Sequence, residues 1–412
     1  MFSVLRNPFI QNLIKPKPLG EHLVQLRCIT RSSELSSSYC LKKNTDAPKI
    51  SESLLRNTTR ASSSSIQYVP DPFSAPSQEF NSFHNDMVRE LKLKAAIYDN
   101  YESEDHIRRV LHYNTSYGMK TRGILTASTY KMIAPKTDQN ELNLRLANYL
   151  GWCIEMLQAV LYIVDDMIDG SNVRMSRLCW YKHDDVQMNA INDAILIEAS
   201  IYQILNMEFS TYKFYAQLLE LFHEGTFIAT LGQKMNIKLS NTKEMNFTLD
   251  QYKAMAINKT AWYSFYMPVA CAMHLAGYKD ESEFRQTKNV LLEIGQLFQV
   301  QDDYLDCYGD PTVRGTIGRD IEDGRFTWLL LTFLEHATDA QKVALKEAYG
   351  KKDPKSVERV KQLYNDVSLP KIYANYEEEA YKKIETKIKE TTRGVPAEVY
   401  YMFLDSLFKR TS

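Results

Sequence analysis

Residues 141–169 read ELNLRLANYLGWCIEMLQAVLYIVDDMID, and the patterning of this stretch decides the fold. Leu142, Leu146, Tyr149, Leu150, Cys153, Leu157, Val160, Leu161 and Val164 recur at steps of three and four residues, which makes one broad apolar face on a helix of roughly six to eight turns. So apolar a helix belongs inside a protein. It ends in Val164-Asp165-Asp166-Met167-Ile168-Asp169, where the first and last aspartates lie one turn apart on the same face. Like charges at that spacing repel. A helix that stacks carboxylates beside its buried face needs a cation to offset them, and hard oxygen donors favour magnesium over zinc.

The same ending recurs 137 residues later as Gln301-Asp302-Asp303-Tyr304-Leu305-Asp306, closing the apolar pattern Val290 to Leu305. One such cluster is most often a solvated helix end. Two, each closing an apolar helix, point to a shared site. Gln158, Leu161, Asp165 and Asp169 form one stripe, and Gln299, Asp302 and Asp306 another. Facing each other, the two columns enclose a cavity with a metal-binding rim and a greasy floor. Such a cavity suits a substrate with a polyanionic head and a hydrocarbon tail, magnesium bridging carboxylates and phosphate oxygens.

Similar helical periodicity runs through Ala190 to Leu205, Ala261 to Ala276 and Phe326 to Leu334, punctuated at Gly170, Gly277, Gly309-Asp310-Pro311 and Gly324. No stretches of alternating β-branched residues bounded by turn pairs interrupt it. The expected fold is a single all-α bundle. With 44% hydrophobic and 25% charged residues the composition is globular, and 50 basic against 51 acidic side chains call for no nucleic-acid partner. No run approaches the roughly 18 apolar residues of a membrane span.

The first 65 residues are a different kind of sequence. They carry ten basic against four acidic side chains and twelve serines, the composition of an organellar presequence. A mitochondrial address is expected from them, a cytoplasmic location otherwise, and residues 66–412 are taken as one catalytic domain. Cys28, Cys40, Cys153, Cys179, Cys271 and Cys307 show no CxxC spacing and read as reduced thiols rather than a zinc site or disulfide framework.

From about Phe80 onward the chain resembles the trans-isoprenyl diphosphate synthases, most closely the farnesyl diphosphate synthase branch. Beyond the two DDxxD clusters the likeness rests on Gln158, Ser171 and Arg174, Cys179-Trp180-Tyr181, Ala190-Ile191-Asn192-Asp193-Ala194, the run Lys259 to Tyr266, Gln299, Gly309-Asp310-Pro311 and Asp320-Ile321. The resemblance implies an isoprenoid synthase helical bundle around a central cavity, usually a homodimer. It implies three magnesium ions held between an allylic isoprenyl diphosphate and Asp165, Asp166, Asp169, Asp302, Asp303 and Asp306. Arg174, Lys259, Thr260 and Gln299 stand at the family's diphosphate positions. Among the departures there, Thr316 and Arg319 replace a Lys and a Thr, Arg325 replaces a later Lys, and Asn236 replaces an Asp that supports the metals.

Departures also fall where the family holds its second diphosphate. In Tyr117-Gly118-Met119-Lys120-Thr121-Arg122 the usual Lys is Met119 while Arg122 stays, and in Ser171 to Ser176 the second Arg is Met175. Two cations replaced by thioethers remove charge-assisted bonds to phosphate, unless Lys120 swings into the vacancy. An enzyme that makes an allylic cation but cannot hold an acceptor performs terpene synthase chemistry, as do insect terpene synthases derived from this branch. The main expectation is therefore a magnesium-dependent terpene synthase that ionises farnesyl diphosphate and cyclises it to a sesquiterpene, for pheromone or defence. Asp165, Asp169, Asp302, Arg174 and Lys259 would carry the chemistry. Arg122, Gln158, Arg319 and Arg325 would touch substrate, and Val160 and Leu161 would deepen the floor. The aromatic run Trp262, Tyr263, Phe265 and Tyr266 offers faces to a cation or is simply core. Two alternatives stand beside this: a geranyl or farnesyl diphosphate synthase that still elongates using Lys120 and Arg122, and an inactive regulatory subunit of such an enzyme.

Overall fold

The computed structural model describes residues 74–98, 102–240, 248–314 and 317–407. The expected presequence, Cys28, Cys40 and Thr316 lie outside these residues. The architecture is a helical bundle: α1 Ser74–Ala95, α2 Glu102–Thr115, α3 Thr121–Ile133, α4 Glu141–Asp169, α5 Ala190–Phe209, α6 Tyr215–Ser240, α7 Leu249–Ala256, α8 Met267–Leu275, α9 Glu281–Tyr308, α10 Trp328–His336, α11 Asp339–Ala348, α12 Pro354–Asp366, α13 Leu369–Glu390 and α14 Ala397–Leu407.

The helix that decided the fold starts and stops where its caps require. Asn140 accepts a hydrogen bond from the Asn143 N–H at the start of α4, and Gly170 ends it at φ 65°, a left-handed conformation that a side chain would oppose. Every residue from Leu146 to Val160 is buried, so α4 is the bundle's central rod, flanked by α3 and α5. It is long and apolar enough to cross a membrane by composition, but 83% of its most apolar window is buried inside the protein. α9 is the second rod, started by the Asp280 side chain on the Ser282 N–H. The described cysteines, Cys153, Cys179, Cys271 and Cys307, are free and buried.

Two features depart from the helical expectation. Val173–Arg174 and Arg177–Leu178 form a two-stranded antiparallel hairpin, turned by Met175 and Ser176 at φ 50° and 59°. The helix expected from Ala261 to Ala276 begins inside a π-helical segment, Ile257–Tyr266, which runs into α8. It packs against α6 and α9. On the α6 side a Cβ at Gly232 would sit 2.2 Å from the Lys259 backbone N, so only glycine lets the two backbones approach this closely. Wide turns of this kind are frequent at functional sites, and this one carries Lys259 and Thr260.

Candidate active site

The last turn of α4 presents its three aspartates to cations. Arg174, sent back from the hairpin, donates to Asp166 Oδ1 through Nε at 3.0 Å and Nη2 at 2.6 Å, and its Nη2 lies 3.7 Å from Asp165. Burial works against the Arg174 charge, and the bond to Asp166 together with the charges of Asp166, Tyr162 and Asp165 more than offsets it. Lys259 Nζ stands 4.0 Å from Asp165 Oδ1, Gln233 donates to the same oxygen, and Arg325 pairs with Asp169. Burial raises the Asp166 carboxyl above its usual range while Arg174 pulls it down.

On α9 the middle aspartate is held by neutral donors. Asp303 is buried and accepts from the Tyr252 hydroxyl at 2.7 Å, the Trp328 N–H at 2.8 Å and Gln299 Nε2 at 2.9 Å. Gln299 in turn accepts from the Thr260 hydroxyl at 2.6 Å, which ties α9 to the π-helical segment. Burial pushes the Asp303 carboxyl up to about 7 against those three bonds. Asp306 Oδ2 accepts the Asp320 N–H at 2.9 Å, bringing a fourth carboxylate alongside. Burial, then the charges of Asp306, Asp303 and Asp302, drive the Asp320 carboxyl well above its usual range, with Arg325 opposing them.

Among the described residues no three His, Cys, Asp or Glu side chains form a ready metal cage. The donor set still suits magnesium, which keeps waters and substrate oxygens in its sphere and takes only a few carboxylates from the protein. Asp166 and Asp303, tied up by Arg174 and by Tyr252, Trp328 and Gln299, serve to fix their helix ends. Asp165, Asp169, Asp302 and Asp306 are the candidates to meet a cation.

Other expected residues fall in different places. Arg122 donates through Nε to Ser264 Oγ at 2.9 Å and lies 5.1 Å from the Tyr263 ring centre. Gln158 is buried with Oε1 unpaired among the described residues, Val160 is buried and Leu161 partly so. Arg319 pairs with Asp323 at 3.2 Å, and Asn236 is buried on α6. Trp262, Tyr263, Phe265 and Tyr266 are all buried, with Phe265 packed on Phe298 and Phe403. Lys120 does not fill the place of Met119: its ammonium donates to the Tyr117 carbonyl, is buried, and is lowered to about 8 by that burial, Glu155 opposing. Met119 is 79% exposed, and Met175 packs on Gly118. Tyr252, the Trp328 N–H and Asp320 were not singled out as site residues from sequence. Tyr252 gives no signal, whereas Asp320 stands in a run that was already noted.

The sequence pattern of the Polyprenyl synthetase family matches residues 104–367. The chain is 38% identical over 334 residues to a farnesyl pyrophosphate synthase of Nezara viridula, covering 81% of this chain and 82% of that protein. It is 40% identical over 317 residues to the farnesyl pyrophosphate synthase of Saccharomyces cerevisiae, covering 75% and 90%. A T. brucei farnesyl diphosphate synthase complexed with a bisphosphonate superposes with a TM-score of 0.77 at 26% identity, covering 82% of this chain and all of that one. The isoprenoid synthase helical fold is thereby established. Terpene cyclisation, the main expectation from sequence, is overturned by these relatives, named farnesyl pyrophosphate synthase at this identity over most of the chain. The two exchanges that suggested it, Met119 and Met175, lie on exposed turns, and Arg177 stacks on Tyr117, two residues before Met119.

Proposed function

Since the chain belongs to the polyprenyl synthetase family, we propose that it is a prenyltransferase condensing isopentenyl diphosphate with an allylic diphosphate to give a geranyl or farnesyl diphosphate. The observation that carries this reading is the pair of aspartate clusters ending α4 and α9, with Arg325 on Asp169 and Asp320 on Asp306. In the reaction the allylic C–O bond breaks, a C–C bond forms to the acceptor, and a proton leaves to the departing diphosphate. Asp165, Asp169, Asp302 and Asp306 would hold magnesium, which when bound supplies the positive charge that stabilises the leaving diphosphate. Arg174, Lys259 and Arg325, already lying against the first cluster, would turn to the diphosphate oxygens and hold them away from the hydrocarbon. Gln299 and Thr260 position Asp303, and with it the end of α9. Val160 and Leu161 would bound the growing chain, and buried apolar walls exclude water from the cation.

Two further parts of the reading have their own support. Ile191 and Ile195 on α5, with Phe227 and Leu231 on α6, are 49%, 60%, 64% and 43% exposed, an apolar surface that a second copy of the chain would cover. The basic, serine-rich residues 1–65 would act as a mitochondrial presequence ahead of the catalytic domain. The test is a product assay with magnesium on the chain lacking residues 1–65. Geranyl or farnesyl diphosphate appearing only when isopentenyl diphosphate accompanies the allylic substrate supports the reading. No elongation with any allylic substrate removes it.

A further inference from the structure

Four helices, α7, α9, α10 and α13, line a cavity of about 500 Å³ that the proposed reaction does not use. Its inner wall is aromatic: Tyr252 and Trp328 are buried, and the Tyr376 ring centre stands 5.0 Å from that of Trp328. Its rim is charged, with Lys253 on α7, Glu335 on α10 and Glu379 on α13, all exposed. Neither glutamate has a basic side-chain partner among the described residues.

With the imidazole of His336 neutral, two carboxylates against one ammonium leave the lining with a single negative charge. That balance selects a monocation. The ring faces of Trp328 and Tyr376 attract positive charge and offer apolar contact to the carbon atoms that carry it. A bare metal ion is poorly served, because Glu335, His336 and Glu379 do not converge into a metal-holding group among the described residues. The volume lies within the range of small-molecule pockets, about 300 to 1,000 Å³.

The wall of the cavity is also the support of the α9 cluster. The Tyr252 hydroxyl and the Trp328 N–H both donate to Asp303 Oδ2, while Gln299 holds Oδ1. Burial, then the charge of Asp303, raises the Tyr376 hydroxyl to about 12, with a hydrogen bond to Gln296 opposing. We propose that this cavity binds a small organic ammonium ion and that its occupant communicates with the α9 cluster through Tyr252 and Trp328. An occupant that settles these two residues settles Asp303 Oδ2 with them, and fixing the end of α9 from the active-site side preorganises the cavity in return. The cavity itself does not depend on the prenyltransferase reading. The communication rests on the part of that reading that makes the aspartate clusters a magnesium site.

The experiment is calorimetric titration of benzyltrimethylammonium into the full chain at pH 8 and constant ionic strength, once in EDTA and once in magnesium. One site per chain is expected in EDTA, weakened about threefold by Glu335→Gln or Glu379→Gln and about tenfold by both together. Both glutamates are exposed, so these variants leave the core untouched. Tyr376→Leu, which removes a ring face, should weaken binding about threefold. Absence of binding, or wild-type affinity in the double glutamine variant, overturns the site. Magnesium should tighten the site about threefold or more through the shared residues. Plain repulsion between two cations would weaken it instead, so a weakened or unchanged affinity overturns the communication. Tyr252→Phe keeps the ring in the wall and loses the hydroxyl on Asp303; it should keep the EDTA affinity and lose most of the tightening. Full tightening in that variant overturns the role given to Tyr252. A parallel arm with benzylammonium names the class of ammonium head, since binding of either through the two glutamates upholds the site. If the chain elongates no substrate, the prenyltransferase reading fails while the EDTA titration still reports on the cavity.

Discussion

The aspartate cluster ending α4 and the one ending α9 share their spacing, and the bundle treats them in opposite ways. Asp165, Asp166 and Asp169 meet Lys259, Arg174 and Arg325, so that end carries built-in positive charge. Asp303 meets a hydroxyl, a backbone N–H and an amide, and Asp306 meets the N–H of a further acid, Asp320. Neutral donors satisfy lone pairs without offsetting charge. The physical consequence is visible at Asp303 and Asp320, whose carboxyls burial raises above the ordinary range. The α4 aspartates therefore meet cations of the bundle, whereas Asp303 meets neutral donors and ionisation of Asp320 is opposed chiefly by burial and neighbouring carboxylates.

The largest effect that separates the two ends is loss of a ligand on α9. Asp302→Asn should lower kcat about a thousandfold and abolish the rise in thermal midpoint that magnesium gives by binding the folded chain. Asp165→Asn should cost a similar factor in kcat, yet keep part of the magnesium-dependent rise, because the α9 carboxylates still repel one another. Equal loss of the thermal shift in both variants breaks the comparison. The same logic applies to the cation that serves the first cluster. Arg325→Met uncovers Asp169, and the expected result is a fall in kcat of about a hundredfold at low magnesium that is partly recovered at high magnesium. A loss indifferent to magnesium would mean that Arg325 acts on the substrate alone.

A milder change tests the neutral side. Tyr252→Phe removes one of three donors to Asp303, with an expected cost of about 1 to 2 kcal/mol in stability. Denaturant unfolding without magnesium measures it. Since the change leaves every charge in place, the magnesium-dependent thermal shift should survive it. Loss of that shift would show that the Tyr252 hydroxyl, and not the charge on the carboxylates, governs the α9 end.

The helices that carry the clusters were legible because their signals are local. α4 has a continuous three-and-four apolar period, an Asn140 cap and a Gly170 stop, and its observed bounds coincide with the expected ones. The spacing of the carboxylates likewise fixed which of them share a face. What escaped is set by contacts distant in sequence. The π-helical register of Ile257–Tyr266 fits its close packing on α6 at Gly232, and a helical periodicity alone does not reveal it. Tyr252 is an ordinary core tyrosine by sequence, yet its hydroxyl lands on an aspartate 51 residues away. The substrate reading erred for a related reason. Met119 and Met175 were weighed as lost charges, whereas Arg177, two residues beyond Met175, was not considered, because its stacking on Tyr113 and Tyr117 depends on how the hairpin meets α2.

A last effect, on stability alone, lies outside both clusters and sharpens the comparison by separating acid sensitivity of the site from that of the bundle. His84 on α1 is 5% exposed and bonds to Thr115 Oγ1 at 2.8 Å. The Thr115 hydroxyl donates to the Leu111 carbonyl at 2.7 Å, so the imidazole must be the donor, which is a neutral ring with its proton on Nε2. Burial, followed by the charges of His112 and Lys120, lowers its pKa from 6.5 to about 4. Because the folded value lies below the unfolded one, the stability it contributes is fully present above pH 6.5 and is lost as the pH falls through about 4. The loss amounts to about 3 kcal/mol. Denaturant midpoints measured from pH 7 to pH 4 in EDTA should fall less steeply in His84→Gln, which keeps a donor to Thr115 and has no proton to gain. The difference between the two curves should survive Asp302→Asn, since no carboxylate of either cluster contributes to the His84 shift. Convergence of the curves in that variant would trace the acid response back to the clusters.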